Sequence, residues 1–230
     1  MTKPLVSVVM AVRNGERFLS AAIESVLAQQ WHPLEVLVVD GHSSDRTAEI
    51  AQAYSPLRYI AQSSRGVADA YNLGIAAAKG NFIAFLSHDD LWTPDKLSSQ
   101  MAYLLDHPEA QYAVAKVKFF LEPGYTLPPG FRPQLLEQEP LAYIMETLLA
   151  RRSVFAQVGN FDRRLTSAED VDWFSRAKDQ SIPHGLIERV LLHKRVHDAN
   201  VSLTDMATNQ LLLKVLRQSI ARKRAAAENP

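Results

Sequence analysis

The 230-residue chain contains no cysteine. That excludes a disulfide scaffold, Cys-ligated zinc and thiol catalysis. It has no surplus of either charge, with 25 Lys plus Arg against 25 Asp plus Glu. A dedicated nucleic-acid binder, which needs a basic excess, is therefore not expected. Long hydrophobic runs are missing too. The first apolar stretch, Leu5 to Val12, stops at Arg13-Asn14-Gly15. This is too short for a signal-peptide core with its cleavage site, or for the ~20 residues of a membrane span. The expected location is cytoplasmic, with attachment to the inner face of a membrane left open. Neither the G-x-x-x-x-G-K-[ST] phosphate loop nor the G-x-G-x-x-G fingerprint occurs, so kinase, ATPase and dinucleotide dehydrogenase readings lose their main support.

What is present suits a packed enzyme-sized domain. Apolar residues make up 47% and charged residues 22%, enough for a sizeable core. Leu5–Val12 is a nearly continuous β-branched run, the pattern of a strand buried on both faces. Phe18, Leu19, Ala22, Ile23, Val26 and Leu27 then fall on one helical stripe. Leu34–Val39, Leu57–Ala61 and Asn81–Leu86 read as further strands. Between them, helices are expected around Ala48–Ala51 and over Val67–Ala78, with Lys79-Gly80 as a stop. Thr93-Pro94 opens a helix that runs to about Asp106. Strands alternating with helices indicate a doubly wound sheet.

Beyond residue 110 the pattern loosens. Gln111–Phe120 reads as a strand and Gly185–Leu192 as another. Helices are expected over Leu141–Ala150, Glu169–Lys178 and Leu203–Ala227. The segment Glu122–Pro140, with five prolines and two glycines, reads as a long loop. No internal repeat is visible. The expected division is a single domain over 1–203 with a helical extension over 204–230, through which the chain could pair with a second copy.

In a doubly wound sheet, ligands bind beyond the carboxyl ends of the strands. Arg13 and Asn14, Asp40, and Asp89 and Asp90 occupy those ends. A lone Asp there serves equally as a turn or cap residue. Two adjacent acids repel and call for a cation. Carboxylates of this kind suit Mg²⁺ or Mn²⁺, which implies a phosphate-bearing substrate. A second acidic cluster, Glu169-Asp170-Val171-Asp172, either complements a helix N-terminus or supplies a proton acceptor.

Several blocks resemble family 2 glycosyltransferases of GT-A fold. They are VSVVMAVRN, SVLAQQ and EVLVVDGHSSDRT within Leu5–Thr47; GVADAYNLGI from Gly66; AKGNFIAFLSHDDLWTPDKL; VFAQVGNFDRRLTSAEDVDWFSR over Val154–Arg176; and RVHDANVSL. They run in family order over about residues 5–203. The resemblance implies an α/β fold with a mixed, mostly parallel sheet flanked by helices. It also implies an inverting transfer of sugar from a nucleotide-diphosphate donor, a UDP-sugar by family habit, to an acceptor hydroxyl. The acceptor, whether glycan, lipid-linked or peptide, is not legible.

By the same resemblance, Ala11, Arg13, Asn14, Asp40, Asn72 and Asp89 line the nucleotide site. Asp89, Asp90 and His197 meet Mn²⁺ or Mg²⁺, with Asp90 as the foremost direct ligand, and Asp170 is the general base. Arg176 is either structural or turned to phosphate. The chain departs from the family's habit at Arg13, commonly Tyr; at Gly41, commonly Asp; and at Ser87, frequently Asp. A non-catalytic sugar-nucleotide binder derived from such an enzyme is the competing reading.

Overall fold

Four of the seven residues in Val6–Val12 (β1) are valine. Val6, Val8, Met10 and Val12 enter one core cluster and Val9 the other, so both faces of the strand are covered, as its unbroken apolar run requires. Leu34–Asp40 (β2) and Phe82–Phe85 (β4) flank β1 in parallel, and Arg58–Ala61 (β3) extends the sheet beyond β2. The remaining strands are Leu91–Trp92 (β5), Tyr112–Leu121 (β6), Leu149–Arg151 (β7) and His184–Val196 (β8). The computed structural model describes residues 3–198 and 208–228. In it, all eight strands form one sheet ordered β3-β2-β1-β4-β7-β6-β8-β5. Four of the pairings are parallel, and those of β4 with β7, β6 with β7, and β5 with β8 are antiparallel.

Helices close both faces. Leu19–Leu27 (α1) and Lys96–Asp106 (α4) cover one with Leu19, Ile23, Val26, Leu97, Met101 and Leu104. Each such side chain contributes about 1.5–3 kcal/mol by leaving water. Val67–Ala77 (α3), Ser153–Val158 (α5) and Glu169–Asp179 (α6) cover the other. Gly74 lets α3 lie against β1, because a Cβ there would stand 2.2 Å from Val9 Cγ1. Thr47–Ala53 (α2) packs beside β2 and β3, and Thr208–Glu228 (α7) lies against α6.

Three expectations need correction. Leu141–Ala150 is not a helix. Leu141 bridges Lys116, Met145–Thr147 forms a short 3₁₀ turn, and β7 runs antiparallel between β4 and β6. A ten-residue apolar run is ambiguous between helix and buried strand, and here the gap between β4 and β6 decides it. Helix α4 begins at Lys96 rather than beside Thr93, because Thr93 Oγ1 donates to Asp95 Oδ1 in the preceding turn. The segment 122–140 holds a 3₁₀ turn at Pro133–Leu136 and buries Phe131 against Phe119. The expected boundary at 203/204 lies outside the described residues.

Candidate active site at the carboxyl ends of the strands

The turns that follow β1 and β2 are knitted together. Asn14, held at φ 52°, accepts the Ser44 amide at its Oδ1 (2.9 Å), and its own amide donates to Ser43 Oγ (2.8 Å). The Gly15 amide donates to Thr47 Oγ1 and the Glu16 amide to Asp45 Oδ2. Asp40, at the end of β2, is buried and accepts from the Ser43 amide (2.9 Å), the Ser43 hydroxyl (2.5 Å) and Tyr59 OH (2.8 Å). Burial and the Asp40 carboxylate together push the Tyr59 phenol up to about 12. Arg13 is exposed on this rim and Ala11 is half-buried in β1. Asn72 stands apart from the turns. Its amide forms a reciprocal pair with the Phe161 backbone, 2.9 Å each way, which clamps α3 to the loop before α6.

Beyond β4, the two adjacent aspartates face different partners. Asp89 Oδ2 lies 3.1 Å from His197 Nε2, just past the end of β8. Burial opposes ionisation of Asp89. The His197 hydrogen bond and the charges of His88 and Lys194 outweigh it and hold the carboxyl well below its usual range. Asp90 is fully buried, at 0% exposure. Its Oδ2 meets Lys194 Nζ at 2.8 Å and its Oδ1 accepts the Arg195 amide at 2.9 Å. Lys194 also reaches Glu146 Oε1 (3.5 Å), which accepts the Ser87 hydroxyl. Burial works against the ammonium, but Asp90, Glu146 and Asp89 together keep it firmly protonated. Arg195 donates to the Asp89 carbonyl (2.8 Å), pairs with Glu122, and lies over the rings of Phe18 and Phe120.

The third group comes from α6. Ala168, in left-handed conformation at φ 61°, turns the chain so that the helix opens on Glu169 and Asp170. Trp173, fully buried among Tyr112, Phe155 and Phe174, anchors the helix behind them. Burial, helped by the charge of Glu146, raises Asp170 to about 6. Burial and the charge of Asp170 raise Glu169 to about 7. Asp172 points the other way. It is buried and pairs with Arg176 Nε at 2.9 Å. Arg176 also donates to the Val158, Gly159 and Asn160 carbonyls, which makes it a structural tie rather than a phosphate ligand.

Residues 7–160 match the model of the family described as glycosyl transferase family 2. The chain belongs to glycosyl transferase family 2. An uncharacterized glycosyltransferase of Rickettsia typhi is 33% identical over 225 residues, a match covering 90% of this chain and 68% of that protein. Two solved structures share the GT-A fold. TarS of S. aureus in complex with UDP-GlcNAc has TM-score 0.75 and 18% identity, covering 94% of this chain and 66% of that one. Glucosyl-3-phosphoglycerate synthase of Mycobacterium tuberculosis, in complex with Mn²⁺, UDP and glucosyl-3-phosphoglycerate, has TM-score 0.67 and 18% identity, covering 94% and 80%. This chain thus spans about two thirds of the length of its Rickettsia relative and of the TarS chain.

In this glycosyltransferase the structure places Asp90, expected at the metal, against β8. One of its oxygens meets Lys194 and the other accepts the Arg195 amide inside the fold. The chain's own ammonium, Lys194, stands beside the paired acids. Among the described residues, no three of His, Asp and Glu gather as a metal cluster, although Asp89 and His197 meet. Sequence reasoning missed Glu146, Lys194 and Arg195. A lone carboxylate within the apolar run 141–150, and a Lys-Arg pair closing a strand just before His197, were the available signals.

Proposed function

We propose that this family 2 glycosyltransferase moves a sugar from a nucleotide diphosphate, a UDP-sugar in the first instance, to an acceptor hydroxyl with inversion. The observation that carries the reading is the Asp89–His197 pair at the strand rim, 3.1 Å apart, together with the raised carboxyl of Asp170, which feels the charges of Glu146 and Lys194. A carboxylate oxygen beside an imidazole nitrogen is a donor set that Mn²⁺ accepts more readily than Mg²⁺, which prefers oxygen alone. Asp89 and His197 would hold the ion, leaving its other positions to diphosphate and water. When bound, the metal would neutralise charge on the diphosphate leaving group.

The chain's own residues supply the rest. Arg13, exposed at the end of β1, offers a planar guanidinium to stack on the base. Asn14 and Asp40, braced by Ser43, Ser44 and Tyr59, hold the two turns that frame the nucleotide. Ala11 would form the floor of that frame, and Asn72 would act on it from behind through its clamp on Phe161. Asp170 takes the acceptor's proton as the new C1–O bond forms and the bond to the diphosphate breaks. A carboxyl near 6 is ionised at neutral pH yet basic enough for this work.

Calorimetry with UDP, GDP and dTDP, with and without Mn²⁺, followed by hydrolysis assays on a panel of sugar nucleotides, tests the proposal. Metal-dependent UDP binding with donor turnover supports it. Nucleotide binding with no turnover of any donor or acceptor would favour a binding protein that has lost catalysis.

A further inference from the structure

Helix α7 has two unlike faces. The inner face is bolted to α6. Val215 is buried, Ser219 Oγ donates to Asp179 Oδ1 (2.8 Å), and Arg222 Nε meets Asp179 Oδ2 (2.8 Å) and reaches Ser175 Oγ through its other nitrogen. With the helix locked in this rotation, its opposite side is set. Leu213, Leu216 and Ile220 stand 56%, 57% and 51% exposed. At ~100° per residue they fall within about 60° of one another. Arg217 and Arg224, both exposed, lie along one border of this row and Lys223 along the other.

An exposed apolar row needs an occupant, and the charges say which. From Thr208 to Ala227 there is no Asp or Glu, against five cations: Lys214, Arg217, Arg222, Lys223 and Arg224. Asp179 takes up Arg222 and Lys223, while among the described residues no carboxylate pairs with Arg217 or Arg224. Two copies meeting through this face would set arginine rows against each other with no acid between them. An anionic bilayer answers both features. The leucines and isoleucine enter the headgroup boundary while the arginine stems reach back to lipid phosphates. No helix among the described residues is long and apolar enough to cross a membrane, so α7 lies on the surface rather than spanning it.

We propose that the outer face of α7 is a docking surface for an anionic lipid membrane. Because α7 is fastened to α6, such docking presents the helix that carries Glu169 and Asp170 at a fixed height above the lipid. The inference stands on the exposed row and its charges and does not depend on the metal or base assignments.

The test is flotation of the full chain with vesicles of phosphatidylcholine alone, or of phosphatidylcholine and phosphatidylglycerol in equal parts. Binding is expected to the anionic vesicles and not to the neutral ones, and to fall as salt rises. Arg217→Gln and Arg224→Gln should each weaken it roughly fivefold. The triple change Leu213→Gln, Leu216→Gln and Ile220→Gln should abolish it. All five positions are solvent-facing, so unchanged UDP affinity and helical circular dichroism would show that the variants are folded. Equal flotation with both vesicle types would overturn the proposal. So would absence of flotation, or a concentration-dependent dimer in sedimentation that the triple change dissolves.

Discussion

Lys194 Nζ lies 2.8 Å from Asp90 Oδ2, a contact between positions 104 apart in the chain. The ammonium sits beneath the strand rim and pairs with one of two adjacent acids, while the other meets His197. Asp90 thus ties the turn after β4 to β8, while Asp89 faces His197. The same ammonium reaches Glu146, whose charge in turn bears on Asp170. Asp90 and Asp170 thus share one electrostatic frame, set by Lys194 and Glu146.

Removing one partner of the frame should cost stability rather than chemistry alone. Lys194→Met leaves Asp90 and Glu146 facing each other without a cation, and is expected to lower unfolding free energy by about 3–5 kcal/mol. The double variant Lys194→Met with Asp90→Asn should recover part of that loss, since no unpaired Asp90 charge remains. Urea denaturation of the three proteins checks this. Equal stabilities for wild type and Lys194→Met would refute the frame.

Asp89 and His197 should behave differently. Asp89→Asn or His197→Ala is expected to weaken UDP binding in Mn²⁺ by about 2–3 kcal/mol, the scale of a lost charge-assisted contact. Neither change should affect the weaker binding measured in EDTA. Titration calorimetry in both buffers gives the comparison. If chelation leaves wild-type affinity unaltered, Asp89 and His197 hold no metal.

Asp170→Asn should cut transfer ~10²–10⁴-fold while leaving UDP affinity nearly intact. In the wild type, transfer should fall as pH drops through about 6, where the base takes up its proton. The stability consequence has the opposite sense from that of an ordinary paired carboxylate. The folded-state pKa exceeds the unfolded value of about 3.9, so between the two the folded chain binds more protons and stability falls as pH rises. Above pH 6 the Asn variant should therefore be the more stable protein, by about 1–2 kcal/mol after allowance for solvent screening. Thermal melts at pH 5 and pH 8 would show the difference growing with pH, and a variant less stable at both would count against the raised carboxyl.

Asp172→Asn provides the contrast two residues away. Its carboxylate is committed to Arg176, which also holds three backbone carbonyls at the end of α5 and in the loop that follows. A stability loss of about 1–3 kcal/mol is expected, with kcat per folded molecule unchanged. A large fall in kcat without a change in melting temperature would move the base from Asp170 to Asp172.

The segment 122–140 is tied at its start to Arg195, Arg17 and His197. Glu122 pairs with Arg195, and the Tyr125 ring lies 4.7 Å from the Arg17 guanidinium and 6.3 Å from the His197 ring. UDP with Mn²⁺ should therefore slow limited proteolysis within it by steadying these contacts. Unchanged cleavage would leave the segment as a surface loop with no part in donor binding.

Local pattern alone determined much of this protein. The valine-rich run of β1, the alternation of strands and helices to residue 106, and the acids placed after β2 and β4 all follow from periodicities that neighbouring residues carry by themselves. So does the separation of Asp170 from Asp172, since positions two apart on a helix face different ways. Tertiary structure decided what pairs across distance. Periodicity could not say that 149–151 would fill the gap between β4 and β6 as a strand, because that choice belongs to the sheet. Nor could two consecutive aspartates reveal which would face inward. That depends on the cation that β8 delivers from a hundred residues away, and burying a carboxylate is tolerable only where such a partner waits.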